Sequence, residues 1–574
     1  MRYSKYMKLL TNHFVKSEAR ETTIEYLANL FDCSERHAKT IINYLDKEKF
    51  VDWKVKRGRG KKPKLKLHYT FDGILLEEAK HYIKQEKYQE GFSIMEQLEK
   101  SSQTEFQEWL NTYLGLMKKT ETNQDLDVLR YSFYETKLQM DPLQIRSRHD
   151  GHMVQQIFDR LVEFDPKSGK LTPRIAHHFE SKDGMHWIFY LRKGVLFHHG
   201  RELNSADVKA TFERFPSTNR FMKNVKEITC ASDYVVVFQL KEVDFMFPRY
   251  LSSIATSIIP VEMLEKKKKF SDNPIGSGPF QLTEQDKEII RLEVFPRYYG
   301  LRPWLDRIEI IKTPASFQHE ETHPLLLSAP NTSWKEVKVV EEGADFIVFN
   351  CAKKGPLQDQ NIRAQISEWI NPQTFCLEGE VVAHSFHTKV SAEQKTPVID
   401  YSVQPVHLDM ELLIGAQQIR EGVNHEREAL ILKEQLENAG ISTKVEIVNA
   451  TDFKNPVVIH KYDILVSGVA LSEDHLLSSI ITLTSSQLAL YHCLSDEMRG
   501  YIMEQERRLK ETKDERARWD IYFEMEIFLK EQHLLFFLNH RSHNIFKPSN
   551  STYMNIELDS NGRIDYRNVW QRIE

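Results

Sequence analysis

The chain of 574 residues is too long for one hydrophobic core, so we expect two or more domains. Its hydrophobic share of 41% and charged share of 28% are ordinary for a soluble globular protein. The net charge of −5 is unevenly divided, because residues 1–67 carry 17 Lys and Arg against 8 Asp and Glu, whereas the remainder carries 61 against 75. A basic head on an acidic body indicates polyanion binding at the head.

The cysteine and N-terminal patterns favour a cytoplasmic location. The five cysteines show no CxxC spacing and their number is odd, so we expect reduced thiols instead of a disulfide framework or a structural zinc site. The N-terminal segment lacks the apolar core of a secretory signal, and the longest apolar runs are too short to span a bilayer. We therefore predict a cytoplasmic protein with no membrane partner.

Residues 1–69 show the pattern of a helix-turn-helix. A first helix is predicted over Tyr3–Val15, a second begins with a capping box at Thr22 and Glu25, and a third covers Glu35–Lys49 behind the N-cap Ser34. Two short helices joined by about three residues form this motif, and the third helix is then the recognition helix. Its candidates for contact with DNA are Arg36, His37, Lys39, Thr40 and Asn43.

A basic hairpin follows the third helix. Alternating residues predict two strands around the loop Arg57–Pro63, and eight Lys or Arg with no acid lie between Lys54 and Lys66. Alone, such a run is as often a solvated hairpin as a DNA contact, but next to a helix-turn-helix it indicates a wing. Arg59, between two glycines, suits the minor groove, and the lysines suit phosphates. The wing candidates are Lys56, Arg57, Arg59, Lys61 and Lys62.

The predicted partner of this winged helix-turn-helix domain is double-stranded DNA, and a homodimer would match palindromic half-sites. Residues 70–126 form a predicted connector that is mostly helical, with a final helix over Phe106–Met117. The polar stretch Lys118–Asp127 is the best candidate for a linker.

Residues 127–574 change to alternating helices and strands, and they carry no catalytic pattern. There is no GxSxG, no glycine-rich phosphate loop and no HExxH, so we predict neither an enzyme nor a cofactor. The doublets at 177–178 and 198–199 are the only paired histidines. Because adjacent side chains point in different directions, we do not predict metal ligands there.

Several elements of the body, in order, resemble the peptide-type, family 5 solute-binding proteins. They are the stretch VQQIFDRLVEFDPKSGKL and its continuation to Arg214, NPIGSGPFQL at 273–282, FIVFNCAKKGPLQDQNIRAQISEWINP at 346–372, and IDYRNVW at 564–570. The resemblance implies a large, two-lobed α/β body of the type II, peptide-binding class of periplasmic-binding-protein folds. Lobe I would use residues 127–345 and 466–574, lobe II about 350–465, and the crossing strands would be Asp345–Asn350 and Tyr462–Gly468. The implied ligand-binding candidates are Ser277, Asn350, Ser467, Tyr134 and Glu135.

The head is similar to the N-terminal domain of the SgrR family, on the stretch LFDCSERHAKTIINYLDKEKFVDWKVKRGRGKKPKLKL. Members of this family fuse a winged helix to a cytoplasmic solute-binding domain. The resemblance implies a multidomain transcription regulator that senses a small effector and controls transport or metabolic-stress genes. The effector classes that it leaves open are a sugar, a sugar phosphate or a short peptide.

One departure from the family weakens peptide binding. Peptide-binding members carry a Trp and an Asp just after the second crossing strand, and that carboxylate holds the peptide ammonium group. Here the stretch reads VSGVALSEDHLLSSI, without Trp, and its acids Glu473 and Asp474 come later. Two alternatives therefore stay open: a solute-binding subunit of an ABC transporter, and a DNA-binding protein with a degenerate body that holds no ligand.

Overall fold

The fold is taken from a computed structural model of the full chain. It describes residues 4–55, 62–121, 124–133, 138–145, 147–264, 272–314, 333–394, 408, 410–420, 423–550, 553–556 and 564–572. Within these residues, no helix combines the length and the apolar character that crossing a membrane requires.

The head folds as three helices against a small antiparallel sheet of order β1-β3-β2. Its elements are α1 (Ser4–His13), β1 (Ala19–Glu21), α2 (Ile24–Phe31), α3 (Glu35–Lys47), β2 (Val51–Lys54) and β3 (Lys64–Leu67). Ser34 caps α3, as predicted, and its hydroxyl accepts from the backbone N–H of His37 at 3.3 Å. The predicted cap of α2 is wrong by one residue, because Thr23 accepts from the N–H of Tyr26 while Thr22 is buried against the wing.

The connector is a three-helix unit formed by α4 (Phe71–Lys84), α5 (Tyr88–Met95) and α6 (Lys100–Tyr113). The predicted final helix is shorter at its end, since α6 stops at Tyr113 and β4 (Gly115–Glu121) follows. The prediction of a linker at Lys118–Asp127 is also wrong. Within it, Lys118–Glu121 belong to β4 and Gln124–Asp127 belong to β5 (Gln124–Phe133), and the two strands pair at the edge of the body's sheet.

The first part of the body contains two antiparallel-rich sheets and the helices packed on them. Its further elements are α7 (Arg148–Ile157), β6 (Val162–Asp165), β7 (Lys170–Pro173), β8 (Ala176–Glu180), β9 (His186–Leu191), α8 (Ser205–Glu213), β10 (Val225–Ser232), β11 (Val235–Leu240), α9 (Phe247–Tyr250), β12 (Phe280–Gln285), β13 (Ile289–Val294), β14 (Arg307–Lys312) and β15 (Ser333–Val340). One sheet has the order β12-β13-β14-β5-β4, and the other has the order β10-β11-β9-β8.

The second part is built on a six-stranded sheet in which β21 lies between β18 and β16, with β22 beyond β16. Its elements are β16 (Gly343–Phe349), α10 (Gln360–Glu368), β17 (Val381–Val382), α11 (Thr388–Ala392), β18 (Leu412–Arg420), β19 (Val423–Asn424), α12 (Glu426–Asn438), β20 (Thr443–Val448), α13 (Pro456–Ile459), β21 (Ile464–Ala470), α14 (His475–Thr484), α15 (Ala489–Cys493), α16 (Asp496–Glu511), α17 (Glu515–Glu531), β22 (Leu535–Phe537), β23 (Asn539–His540), β24 (Ser542–Asn550), β25 (Tyr553–Met554) and β26 (Trp570–Gln571). Every described residue of β16 is buried, which is why its sequence is a continuous apolar run.

The strand pairing favours a second crossing between the lobes that comes later in the chain than the predicted one. The predicted crossing strand Tyr462–Gly468 corresponds to β21, which pairs with β16 inside the six-stranded sheet. The chain leaves this sheet only after β22, and β24 then pairs antiparallel with β15. Tyr553, Tyr566 and Val569 finally join the core of the first part. We therefore propose β15 and β24 as the crossing strands, with the exact lobe boundaries kept as a proposal.

Candidate DNA interface and candidate solute site

The recognition-helix candidates all lie on the exposed surface of α3. Ala38, Ile41, Ile42 and Leu45 are fully buried in the head's core, so the helix presents its other face to solvent. Helical spacing places four candidates together on that face, namely Arg36, Lys39, Thr40 and Asn43. His37 is also exposed but lies beside them, with its ring 6.4 Å from the ring of Tyr6. The Thr40 hydroxyl donates to the carbonyl of Arg36 at 3.1 Å.

The wing is fastened to α3 and concentrates positive charge. The backbone N–H of Trp53 in β2 donates to the Asp46 carboxylate of α3 at 2.8 Å. Lys54 and Lys64 are directly paired in the β2–β3 register. Like charges in facing positions destabilise a hairpin, and Lys64 is 4.0 Å from the carboxylate of Glu21 in the neighbouring β1.

Of the remaining wing candidates, one lies within the described residues and four lie outside them. Lys62 is described and exposed, whereas Lys56, Arg57, Arg59 and Lys61 lie outside the described residues. The base of the wing also carries a carboxylate, because Asp52 pairs with His68 at 2.9 Å. The hydrogen bond from His68 lowers the pKa of Asp52, which keeps this carboxyl ionised.

The connector packs on both the head and the body. Ile74 of α4 belongs to the head's core, whereas Leu76 of the same helix belongs to a cluster shared with Ile289 and Ile311 of the body sheet. The carboxylate of Glu288 accepts from the N–H of Tyr88, the first residue of α5, at 2.6 Å. The three units are therefore joined by packed apolar contacts.

A buried charged network reinforces this joint. Arg130 of β5 donates to Glu309 of β14 at 2.7 Å, and both side chains are almost fully buried. Lys119 lies 3.5 Å from the same carboxylate and 2.9 Å from Glu86, which follows α4. The guanidinium of Arg130 also lies 4.3 Å from the ring of Tyr113 in α6. These partners are far apart in sequence, so no local pattern predicts them.

Ser277 lies between two glycines that pack so closely on the backbone of Ile157 that neither position has room for a side chain. A Cβ atom built at Gly276 would lie 2.1 Å from the carbonyl oxygen of Ile157, and one at Gly278 would lie 2.6 Å from the carbonyl carbon of the same residue. Ser277 is fully buried, and its hydroxyl has no hydrogen-bond partner among the described residues. Gln156, next to Ile157, is equally buried, and both of its amide atoms lack partners in the same part of the chain. The structure therefore buries Ser277 within the protein and shows no contact surface for a ligand at its side chain.

Asn350 and Ser467 are placed differently from Ser277. The Asn350 amide donates to the carbonyls of Ile459 and Tyr462 and accepts from two backbone N–H groups, so its polar atoms are used within the protein. Ser467 donates to Gln417 at 2.6 Å. It faces Phe346 in the sheet, four residues from Asn350, which separates the two by roughly 13 Å. The structure does not bring these candidates together, and Tyr134 and Glu135 lie outside the described residues.

The carboxylate of Asp474, which follows β21, is paired with a buried arginine of the protein itself. Arg249 of α9 makes two hydrogen bonds of 2.8 Å to Asp474, the N-cap of α14, and it also contacts Glu515 at 2.6 Å. Burial acts to lower the pKa of Arg249, but the hydrogen bonds and charges of its two partners outweigh it and raise that pKa. Because its partners lie 225 and 266 residues away, sequence reasoning missed Arg249.

A cavity of about 800 Å³ lies on the first part of the body, away from β21 and α14. Trp304 and Trp570 line it, and both are about two-fifths exposed. The arginines in its wall are already paired, since Arg174 contacts Asp159 at 3.1 Å and Arg567 contacts Glu163 at 3.1 Å.

The histidines of the two doublets are either exposed or bonded to neighbouring groups of the protein, and the cysteines form no disulfide. His198 shares a hydrogen bond of 3.1 Å with the carbonyl of Gly278, and His199 pairs with Glu262 at 2.6 Å. His177 and His178 are exposed. All five cysteines are free thiols.

Two family models match the chain. Residues 2–117 match the model for the sugar transport-related sRNA regulator N-term, and residues 170–376 match the one for bacterial extracellular solute-binding proteins, family 5 Middle. The head is thus similar to the SgrR family, and the body is similar to the family 5 solute-binding proteins. Proteins named HTH-type transcriptional regulator SgrR are 29% identical in Yersinia enterocolitica and 27% identical in Shigella boydii. These matches cover 61% and 62% of this chain and 62% of each relative, which is less than two thirds of their length.

A relative matched over nearly its full length and two solved structures extend the comparison. The uncharacterized protein YhjP of Bacillus subtilis is 26% identical over 96% of both chains. HbpA2 from Haemophilus parasuis superposes with a TM-score of 0.63 at 16% identity, over 78% of this chain and all of that one. The oligopeptide-binding protein AppA of Bacillus subtilis, solved with a nonapeptide, gives 0.56 at 18% identity, over 78% and 99%. These likenesses confirm the predicted two-lobed α/β binding-protein fold of the body.

Proposed function

We propose that this protein is a cytoplasmic transcription regulator that binds double-stranded DNA through its head and senses a small solute through its body. The observation that carries DNA binding is the exposed polar face of α3 beside a wing in which Lys54 faces Lys64. The N-terminal half of α3 would enter the major groove, and the wing would contact phosphates and the minor groove.

Binding of the purified full chain to labelled duplex DNA tests this proposal. The duplexes are the region upstream of its own coding sequence and an unrelated sequence of equal length, each over a range of salt concentrations. We expect tighter binding to the first, and affinity for both that falls steeply with salt because Lys and Arg displace counterions. Absence of binding at low salt would contradict the proposal.

The proposed effector is a sugar, a sugar phosphate or a short peptide, and the regulated genes would serve transport or metabolic stress. Two observations support sensing: the resemblance of the body to family 5 solute-binding proteins, and the packed joint between body and head. An effector that prefers one arrangement of the lobes would shift the placement of the head, by no more than its difference in affinity for the two arrangements. The regulated operators and the presence of a homodimer belong to the same proposal.

A second candidate is a regulator whose body holds no solute. The pairing of Asp474 with Arg249 and the internal hydrogen bonds of Asn350 favour it, because both remove polar groups from ligand contact. Thermal denaturation of the full chain with sugars, sugar phosphates and di- or tripeptides separates the candidates, since a true ligand stabilises by mass action. A role as an exported transporter subunit would instead require the protein to fractionate outside the cytoplasm.

A further inference from the structure

Three side chains suited to metal ligation converge where the six-stranded sheet meets the crossing strands. Glu342 lies between β15 and β16, His387 directly precedes α11, and His475 is the first residue of α14. One ligand atom from each lies within 4.8 Å of the other two. The Nδ1 atom of His387 is 3.8 Å from a carboxylate oxygen of Glu342. Three separate segments of the chain therefore deliver one imidazole or carboxylate each to a common point.

Two of these side chains are held in place by neighbours. The Nε2 atom of His387 is 3.1 Å from the hydroxyl of Ser479, a fully buried residue of α14. This contact leaves the Nδ1 atom on the side of Glu342. The Glu342 carboxylate accepts from the backbone N–H of Thr388 at 3.2 Å and also from the Thr388 hydroxyl. Contacts of this kind orient ligands in metal sites and set the imidazole tautomer.

Three aromatic side chains surround the imidazole of His387. The rings of Trp519, Tyr522 and Phe523 lie 5.1, 5.5 and 5.8 Å from that of His387. His387 itself is buried. Glu342 is about one quarter exposed, which leaves a path for entry from solvent.

We propose that Glu342, His387 and His475 bind a divalent transition-metal ion such as Zn²⁺. Two imidazoles and one carboxylate form a ligand set of zinc sites that keep a fourth position open for water. Ligand atoms of a tetrahedral site lie about 3.4 Å apart at bonds of about 2.1 Å, so the site closes by a small rotation of the half-buried His475. The ion would fasten the β15–β16 turn to α14. This proposal does not depend on the proposed function.

The test is calorimetric titration of the chelator-treated full chain with Zn²⁺, followed by Co²⁺ as a spectroscopic probe. We expect one high-affinity equivalent and cobalt d–d absorption without the near-ultraviolet band of a thiolate ligand, which excludes the five cysteines as ligands. Mg²⁺ should not compete, because it prefers oxygen ligands. His475→Ala should remove the high-affinity binding, and Ser479→Ala should weaken it at least about tenfold.

The matched control is His186→Ala, because the exposed His186 also pairs with a carboxylate, Asp183 at 2.8 Å, but no third ligand group joins this pair in the described part of the chain. This variant should bind Zn²⁺ like the unaltered chain. Absence of tight Zn²⁺ binding, a thiolate band, unchanged binding in a folded His475→Ala protein, or loss of binding in His186→Ala would each overturn the proposal. Circular dichroism of each variant establishes that it is folded, and Ser479→Ala decides the matter if His475→Ala is not.

Discussion

At the residue scale, we predict that the side chains of the head divide into those that read bases and those that hold phosphates. Arg36 lies in the first turn of α3, where a recognition helix approaches base edges. Lys62 lies at the described end of the wing, where contact with the phosphate backbone is expected. Truncation of these two side chains should therefore weaken DNA binding in different ways.

We expect Arg36→Ala to cost about 1–3 kcal/mol of binding free energy at the preferred DNA site and to relax its base preference. Lys62→Ala should weaken binding evenly across sequences and reduce the salt slope by about one. Fluorescence anisotropy over a salt series measures both effects. Lys226→Ala, an exposed lysine of the body, is the control of equal charge change and should leave affinity and slope unaltered. Equal losses in all three variants would contradict this division of roles.

Arg249 and Asp474 form a buried pair whose halves depend on each other. We expect Arg249→Met to lower the free energy of unfolding by about 3–5 kcal/mol, because it leaves the Asp474 carboxylate buried and unpaired. Urea denaturation measures the loss. The double variant Arg249→Met/Asp474→Leu should recover most of it. Arg507→Ala removes an exposed arginine paired with Glu504 and should cost less than about 1 kcal/mol. Similar losses of unfolding free energy for Arg249→Met and Arg507→Ala would contradict the mutual dependence of Arg249 and Asp474.

His425 should make the protein sensitive to acid. It is fully buried, its Nδ1 atom accepts from Arg541 at 2.9 Å, and burial lowers its pKa to about 3. The unfolded chain takes up a proton at this position below about pH 6.5, whereas the folded chain does not. The free energy of unfolding should therefore fall as the pH drops, by about 2 kcal/mol at pH 5 from this residue alone.

Urea denaturation of His425→Gln between pH 7.5 and about 5 tests this effect. The variant should lose less stability on acidification than the unaltered chain. The exposed His186→Gln should keep the original pH dependence. An unchanged pH dependence in His425→Gln would show that this imidazole is not the group responsible.

At the element scale, the body supplies the cap that α5 lacks in its own sequence. Lys87, at the N-cap position, makes no side-chain cap, and Glu288 instead accepts from the N–H of Tyr88. A carboxylate at a helix N-terminus also interacts favourably with the helix dipole. The position of α5 is thereby tied to the β12–β13–β14 sheet of the body.

We expect Glu288→Ala to cost about 1 kcal/mol and to speed backbone hydrogen exchange in α5, because the helix loses its cap. Hydrogen exchange read by mass spectrometry over residues 88–95 measures this. Glu227→Ala removes an exposed carboxylate of β10 and serves as the control. Unchanged exchange in α5 would contradict the view that the body holds the connector in place.

Local signals explain which elements of the head are predictable. Ser34 is recognisable as a cap because its partner is the N–H three residues later, within the same short segment. The choice between Thr22 and Thr23 is not local, since the N–H of Thr22 bonds to Pro63 of the wing. The linker prediction fails for the same reason. Lys119 and Glu121 are polar, yet they lie in a strand whose ion-pair partners are Glu86 and Arg307.

At the scale of the whole molecule, sequence motifs predict the order of the domains but not the return path of the chain. The buried run of β21 has the same pattern as a crossing strand, because both are apolar on each face. Only the pairing of β15 with β24 shows where the chain returns. The solute site is equally dependent on distant contacts, since Asp474 and Asn350 are polar in sequence but satisfied within the fold.

At the same scale, the connector links the core of the head with the core of the body. Ile74 and Leu76 of a single helix contribute to the cores on its two sides. A change in the body therefore has a path of direct contacts to the head, as the regulatory proposal requires.

Genome-wide footprinting of the full chain, compared with the double variant Arg36→Ala/Lys39→Ala, tests the central claim most directly. The account predicts discrete protected sites near promoters, and loss of protection in a double variant that remains folded. Sites unaffected by the two substitutions, or no protected sites at all, would contradict DNA recognition through α3.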